Sequence, residues 1–215
     1  AELAVNGGPI YREGKSFPSW PVHGAEEKAA VNAVLDSGKW WYGEKVAEFE
    51  QTYARYQDAR FGVSCTSGTV ALRLALLACG VGAGDEVIVP PYTFMATASS
   101  VLEVNAIPVF ADVELDTFNL SPEAVEQAIT PRTRAIIPVH FAGLAADMDA
   151  LWEIARKHDL FVIEDAAHAW GSEWKGTKLG AQGNVGCFSF QMSKNITAGE
   201  GGIALTNDED LADKV

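Results

Sequence analysis

The sequence predicts an α/β fold: a mainly parallel, seven-stranded sheet with helices on both faces. Two observations carry this. Short apolar runs alternate with amphipathic stretches along the chain, the pattern of strands buried between helices. Glycines and prolines then punctuate the boundaries where one type of stretch gives way to the next. With 215 residues, 48% apolar and 21% charged, the chain is long enough to bury a sizeable core and has globular composition.

The elements follow in order. "GAEEKAAVNAVLDSG" places apolar residues at helical spacing and stops at Gly38, a natural C-cap. A second helix is expected over Glu44 to Tyr56. "RFGVSCTSGTVALRLALLACGVGAGD" reads as a strand, a turn of small residues and a helix closed by glycines. "EVIVPP" is a buried strand stopped by Pro90 and Pro91, "TFMATASSVLEVN" a helix and "IPVFADV" a strand. Ser121-Pro122-Glu123 opens a helix with proline at its first position. "RAIIPVHF" is a strand, "DMDALWEIARKH" a helix, and "LFVIEDAAHAWGS" a strand running into a loop. "VGCFSF" and "GGIALTN" complete the strands. "NDEDLADKV" begins as a helix capped by Asn207 or Asp208, and its pattern is still running at Val215, as if the chain were cut within the helix.

Bulk properties narrow the function. A net charge of −13 argues against nucleic acid or an anionic membrane as partner, because lysine and arginine would have to supply the attraction. Cys65, Cys79 and Cys187 are odd in number and lack metal-ligand spacing, so they read as small buried residues in a reducing, cytoplasmic setting. No stretch has the length and apolarity of a transmembrane helix or signal peptide, and neither repeats nor low-complexity segments occur.

In a parallel sheet covered on both faces, ligands bind beyond the carboxyl ends of the strands. At the first such end, Ser67, Gly68 and Thr69 lead directly into a helix, whose free amides and hydroxyls would cradle a phosphate; capping of the helix by Ser67 or Thr69 is the plainer alternative. Neither a Gly-x-Gly-x-x-Gly fingerprint nor a Walker lysine is present, which disfavours dinucleotides and nucleoside triphosphates. Phe94 follows another strand end, where it could lie against a planar ligand or simply join the core. Asp165 follows a buried apolar run and needs a partner, either a cationic heteroaromatic nitrogen or a helix that it caps. His168 could meet the same ligand, whereas His140 reads as a structural histidine. Lys194, in "FSFQMSKNITAGEGG", has no charged neighbour before Glu200. A phosphate cradle, an aromatic plate, a carboxylate and an isolated lysine together match pyridoxal 5′-phosphate (PLP), which has a phosphate, a planar ring, a basic nitrogen and an aldehyde.

"SGTVALRLAL", "VIVPPYTFMATA", "VFADVELDTFNL", "VHFAGLAADMDAL", "VIEDAAHAWGS" and "FSFQMSKNITAGEGG" resemble successive signatures of the DegT/DnrJ/EryC1/StrS aminotransferases. The resemblance implies a PLP-transferase fold type I large domain, a homodimer with active sites at its interface, and transfer of an amino group from glutamate or glutamine to a keto-sugar, keto-cyclitol or related cyclic ketone. It makes Lys194 the Schiff-base lysine and proton shuttle, and Asp165 the partner of the pyridine nitrogen. Phe94 becomes the stacking ring, His168 a neighbour of the ring hydroxyl, and Ser67, Gly68, Thr69 and Ser189 phosphate contacts. Residues 1–57 are then an N-terminal helical segment packing on the large domain, 58–215 are that PLP-binding domain, truncated, and a small C-terminal domain is expected after 215.

Gln191 stands where many nucleotide-sugar members have histidine. With "DAAHA" it resembles the aminocyclitol and 3-amino-5-hydroxybenzoate synthase branch, and Trp40, Trp41 or Tyr42 could flank a ring substrate. A 3-amino-5-hydroxybenzoate synthase-like enzyme using the same lysine remains open, as does a non-catalytic PLP-fold binding or regulatory protein. Lys194 disfavours a dehydratase, and the missing glycine fingerprint disfavours a nicotinamide oxidoreductase.

Overall fold

The computed structural model describes residues 2–215 and divides into two compact units, one ending at Trp40 and the other spanning Trp41–Val215. In the first, α1 (Ala25–Ser37) forms where the spacing places it. Glu27 accepts the Gly24 amide at 2.6 Å at its start, and Gly38 closes it in the left-handed region at φ 67°. None of the α1 residues is buried.

The second unit opens with α2 (Glu44–Tyr56), β1 (Phe61–Cys65), α3 (Gly68–Ala78) and β2 (Glu86–Val89). There follow α4 (Ala96–Glu103), β3 (Ile107–Phe110), α5 (Pro122–Ala128), β4 (Thr133–Ile136), α6 (Met148–His158) and β5 (Phe161–Asp165). Two-residue strands β6 (Glu173–Trp174) and β7 (Thr177–Lys178) form a small hairpin before β8 (Val185–Ser189), β9 (Gly202–Thr206) and α7 (Glu209–Lys214).

Seven strands form one sheet in the order β1-β9-β8-β5-β4-β2-β3. From β3 to β8 every pairing is parallel; β9 alone runs against its neighbours β8 and β1. The expected mainly parallel, seven-stranded sheet is therefore present, with the reversed strand where "GGIALTN" returns from the lysine segment.

Alternation along the strands sorts the core into two layers. Val87, Val89, Ala135, Ile163, Val185, Cys187 and Ala204 face α3, α4 and α7. On the other face Ile88, Ile136 and Val162 meet Val125, Met148, Leu151 and Ala155 of α5 and α6. There too, Phe188, Ile203 and Leu205 meet Tyr53 and Ala54 of α2. Phe188 is fully buried, edge-on to Tyr53 with ring centroids 5.3 Å apart. Phe188→Ala should destabilise the fold by about 3–5 kcal/mol through lost burial and a residual cavity, read as a lowered denaturant midpoint of the complete protein.

Two local departures from the sequence expectation bear on function. α4 begins at Ala96, three residues later than "TFMAT" suggests, which leaves Thr93 to Met95 outside the helix, after a bend over Pro91 to Thr93. β4 ends at Ile136, and beyond it only an isolated bridge, Val139 to Asp165, continues the pairing with β5. Both departures fall at strand ends on the same side of the sheet.

Candidate active site

A cavity of about 760 Å³ opens at the carboxyl ends of the parallel strands. All eight residues singled out in the sequence line it: Ser67, Gly68 and Thr69 at the start of α3, Phe94 before α4, Asp165 and His168 at and after β5, Ser189 at the end of β8, and Lys194. These come from four segments that only the sheet brings together. Trp41 and Tyr42 do not line it; Trp41 is exposed, and the Tyr42 hydroxyl donates to Glu50 at 2.7 Å.

The turn into α3 is packed hard against the neighbouring strands. A side chain at Gly68 would meet the Ser189 Cβ at 2.7 Å, and one at Gly202 would overlap the Ser67 carbonyl, so the close approach needs glycine at both. The Ser67 hydroxyl caps α3 by accepting the Val70 amide at 3.2 Å. The capping alternative thus holds for this hydroxyl, and the leading amides with the Thr69 hydroxyl remain the groups available to an anion.

Asp165 is buried, and both its carboxylate oxygens are used. Oδ2 accepts from the Thr97 hydroxyl at 2.8 Å and Oδ1 from the Ala167 amide at 3.3 Å. No helix follows it, so it caps a turn and not a helix. Thr97, fully buried in the first turn of α4, is a site residue the sequence reading did not single out; its hydroxyl also exchanges a 2.9 Å hydrogen bond with Thr93. Its only sequence signal was a second threonine four residues after Thr93.

Lys194 is half-buried, and burial pulls its amine below the ordinary lysine range against the opposing pull of the Asp165 carboxylate. Burial also lowers the His168 imidazole, helped by the charge of Lys194 and opposed by Asp165. A neutral imidazole offers one donor and one acceptor, and the buried Nδ1 has no hydrogen-bond partner among the described residues. Phe94 is 70% exposed, so it is no core aromatic; its ring presents a bare apolar surface at the cavity. Cys187 also lines the cavity, but burial pushes its thiol well up, leaving it protonated and a poor nucleophile.

His140 lies under the site and is not among the residues lining it. It is fully buried, and its Nδ1 accepts the Ala146 amide at 3.2 Å, so Nε2 carries the proton donated to Glu164 at 2.9 Å. Glu164 also accepts the amides of Gly180, Gln182 and Gly183. Those bonds and His140 hold its carboxyl below the ordinary range although burial opposes this.

A sequence profile of the DegT/DnrJ/EryC1/StrS aminotransferase family matches residues 21–215. The chain belongs to that family. It is 48% identical over 220 residues to an L-glutamine:2-deoxy-scyllo-inosose aminotransferase from Streptomyces fradiae, a match covering 99% of this chain and 52% of the relative. Among solved structures, a 3-amino-5-hydroxybenzoic acid synthase superposes with a TM-score of 0.89 at 43% identity, over 93% of this chain and 52% of the other. The PLP-form of a putative sugar aminotransferase from Streptococcus pneumoniae gives a TM-score of 0.85 at 36% identity, over 89% and 53%. The chain spans about half the length of the curated relatives it matches. As in those aminotransferase structures, its mixed sheet with helices on both faces is the PLP fold type I arrangement.

Proposed function

We propose that this aminotransferase-family protein uses PLP to move the amino group of glutamine or glutamate onto a keto-cyclitol, keto-sugar or related cyclic ketone, in secondary-metabolite or sugar biosynthesis. The observation that carries the proposal is the meeting, in one cavity, of a half-buried lysine with a lowered pKa, a buried carboxylate, an exposed aromatic ring and a helix amino end. The similarity to the Streptomyces fradiae enzyme supports glutamine as donor and a ring ketone as acceptor.

The residues present fit the cofactor. The unpartnered Nδ1 of His168 and the bare ring of Phe94 are what a planar, polar-edged ligand would cover. Ser189, Gly68, Thr69 and the leading amides of α3 would hold its phosphate, with Ser67 acting through the cap. When bound, PLP supplies an aldehyde that links covalently to amines and a ring that accepts the electron pair of the reacting carbon. Asp165, fixed by Thr97 and the Ala167 amide, would keep a negative charge beside the ring nitrogen. Lys194 would hold the aldehyde at rest and, once released, take and return a proton at the reacting carbon. Its lowered pKa raises the neutral fraction that this work requires.

A second copy of the chain would close the cavity. Phe94, Met95 and Met192 are more than half exposed beside it, and apolar surface of this kind at a site mouth suits a homodimer interface. Small-molecule donor and acceptor are the other partners proposed, with no role for nucleic acid or membrane on a chain of net charge −13. Three free cysteines are consistent with a cytoplasmic setting. Similarity to the 3-amino-5-hydroxybenzoic acid synthase favours one second reading, in which the same lysine serves to aromatise an amino-dehydroquinate-type substrate.

The test is to incubate the complete protein with PLP, glutamine labelled at its α-nitrogen and 2-deoxy-scyllo-inosose or other keto-cyclitols and keto-sugars. The label should appear on the ring carbon of the product. A protein that takes up PLP yet transfers label to none of these ketones would contradict the proposal, and an aromatic product from an amino-dehydroquinate-type substrate supplied instead would select the second reading.

A further inference from the structure

The segment between β8 and Lys194 is organised by one side chain. The backbone carbonyl of Gln191 accepts the Lys194 amide at 2.9 Å, closing the turn that carries the lysine. Its side-chain oxygen Oε1 accepts twice from Ser193, from the amide at 2.8 Å and the hydroxyl at 2.7 Å. Its own amide donates to the Ser189 hydroxyl at 3.3 Å. Gln191 therefore joins the end of β8 to the lysine turn.

These bonds also fix which way the carboxamide faces. The oxygen and nitrogen of a glutamine side chain are nearly isosteric, and their assignment has to come from the partners. A backbone N–H can only donate, so the atom against the Ser193 amide must be the oxygen. The NH2 is then committed to the other side. Gln191 lines the cavity, and its NH2 has no hydrogen-bond partner among the described residues. A pair of N–H donors is thus held at the cavity wall, three residues from the lysine, with its orientation set by the protein and not by a ligand.

We propose that Gln191 reads the ring ketone, its oxygen holding the lysine turn while its NH2 donates to a hydroxyl or carbonyl oxygen next to the reacting carbon. The inference rests on the aminotransferase reading above and assigns the specificity of that same site. The chemistry of the wall favours a neutral, oxygen-rich ring. Its polar side chains are hydroxyls, the Cys187 thiol, the His168 imidazole, the Gln191 carboxamide, the carboxylates of Asp165 and Glu200 and the Lys194 amine that the cofactor would engage, and no arginine from the described residues lines it. A neutral oxygen is a good acceptor for a carboxamide donor.

Gln191→Glu is the informative variant. It keeps an oxygen for Ser193 and the shape of the side chain, and it replaces the donor pair by an acceptor. The complete protein, loaded with PLP, would be compared with wild type in two measurements. The first is calorimetric binding of 2-deoxy-scyllo-inosose to the PLP-loaded form, which holds no amino group to transfer. The second is the glutamine concentration that half-saturates the change in the visible spectrum.

The variant should bind the ketone about ten-fold or more weakly, with glutamine half-saturation within about two-fold of wild type and the visible band retained. Unchanged ketone affinity in Gln191→Glu would overturn the proposal, as would wild type that fails to bind this ketone while responding to glutamine. Equal weakening for ketone and glutamine would overturn it too, because Gln191 would then act only by shaping the lysine turn. A wild-type protein with no visible band and no response to glutamine would instead remove the aminotransferase reading itself, an outcome distinct from these.

Discussion

Asparagine in place of Asp165 should lower turnover by about a hundred-fold to a thousand-fold while leaving the fold intact. The substitution is nearly isosteric, and one amide oxygen still accepts the Thr97 hydroxyl, so α4 and β5 stay joined. What disappears is a buried negative charge, and an opposite charge at contact distance shifts a partner's pKa by about 1–3 units. The ring nitrogen of the cofactor would hold its proton about ten-fold to a thousand-fold less tightly. Lys194 should move in the same experiment, because the Asp165 carboxylate is what pulls its pKa up against burial. With that charge removed, the lysine titrates lower still, so the acid limb of the pH–rate profile should shift to lower pH. Turnover within about three-fold of wild type, at unchanged thermal stability, would show that Asp165 is not the cofactor's counter-charge.

Alanine at Lys194 should cost more. A general acid–base group contributes about 10²–10⁴-fold, and here the same side chain is also the covalent anchor. Its removal leaves space in a half-buried position that a small primary amine can enter. Added methylamine should therefore restore part of the lost turnover, in proportion to its unprotonated fraction. Rescue that ignores the amine's protonation state, or alanine turnover close to wild type, would place the proton transfer on another residue.

These expectations rest on a site whose parts were unevenly legible in the sequence. The central parallel strands announced themselves because they are buried on both faces: all four residues of β2 are buried, and a run such as "EVIV" has no other reading once Pro90 ends it. Lys194 and Asp165 stood out because each breaks an apolar or small-residue context at a strand end. The hairpin β6–β7 did not, because two-residue strands are shorter than any periodicity can reveal. Its turn shows only in the positive φ of Lys175 and Gly176.

Partners distant in sequence were the main loss. Thr97 orients Asp165 from 68 residues away, and nothing local distinguishes it from any threonine in the first turn of a helix. Glu164 looked like part of an apolar strand, yet it is fully buried and accepts from a loop 16 to 19 residues further on. A buried carboxylate of that kind is tolerable only with such donors, and donors supplied by backbone amides carry no residue identity to read. Gln191 was noticed only for differing from other family members. That its oxygen faces Ser193 and its NH2 does not is a matter of which groups can donate, and this needs the turn to be seen closed.

The central claim is that Lys194 is the residue that bonds the cofactor. The most direct measurement is the visible absorption spectrum of the complete protein incubated with PLP, wild type beside Lys194→Ala, before and after glutamine or glutamate is added. The account predicts a visible band in wild type that fades when the amino donor is added and that is missing from the alanine protein. Identical spectra for the two proteins would contradict it, leave Lys194 an ordinary loop lysine, and turn the cavity into a binding site without transferase chemistry.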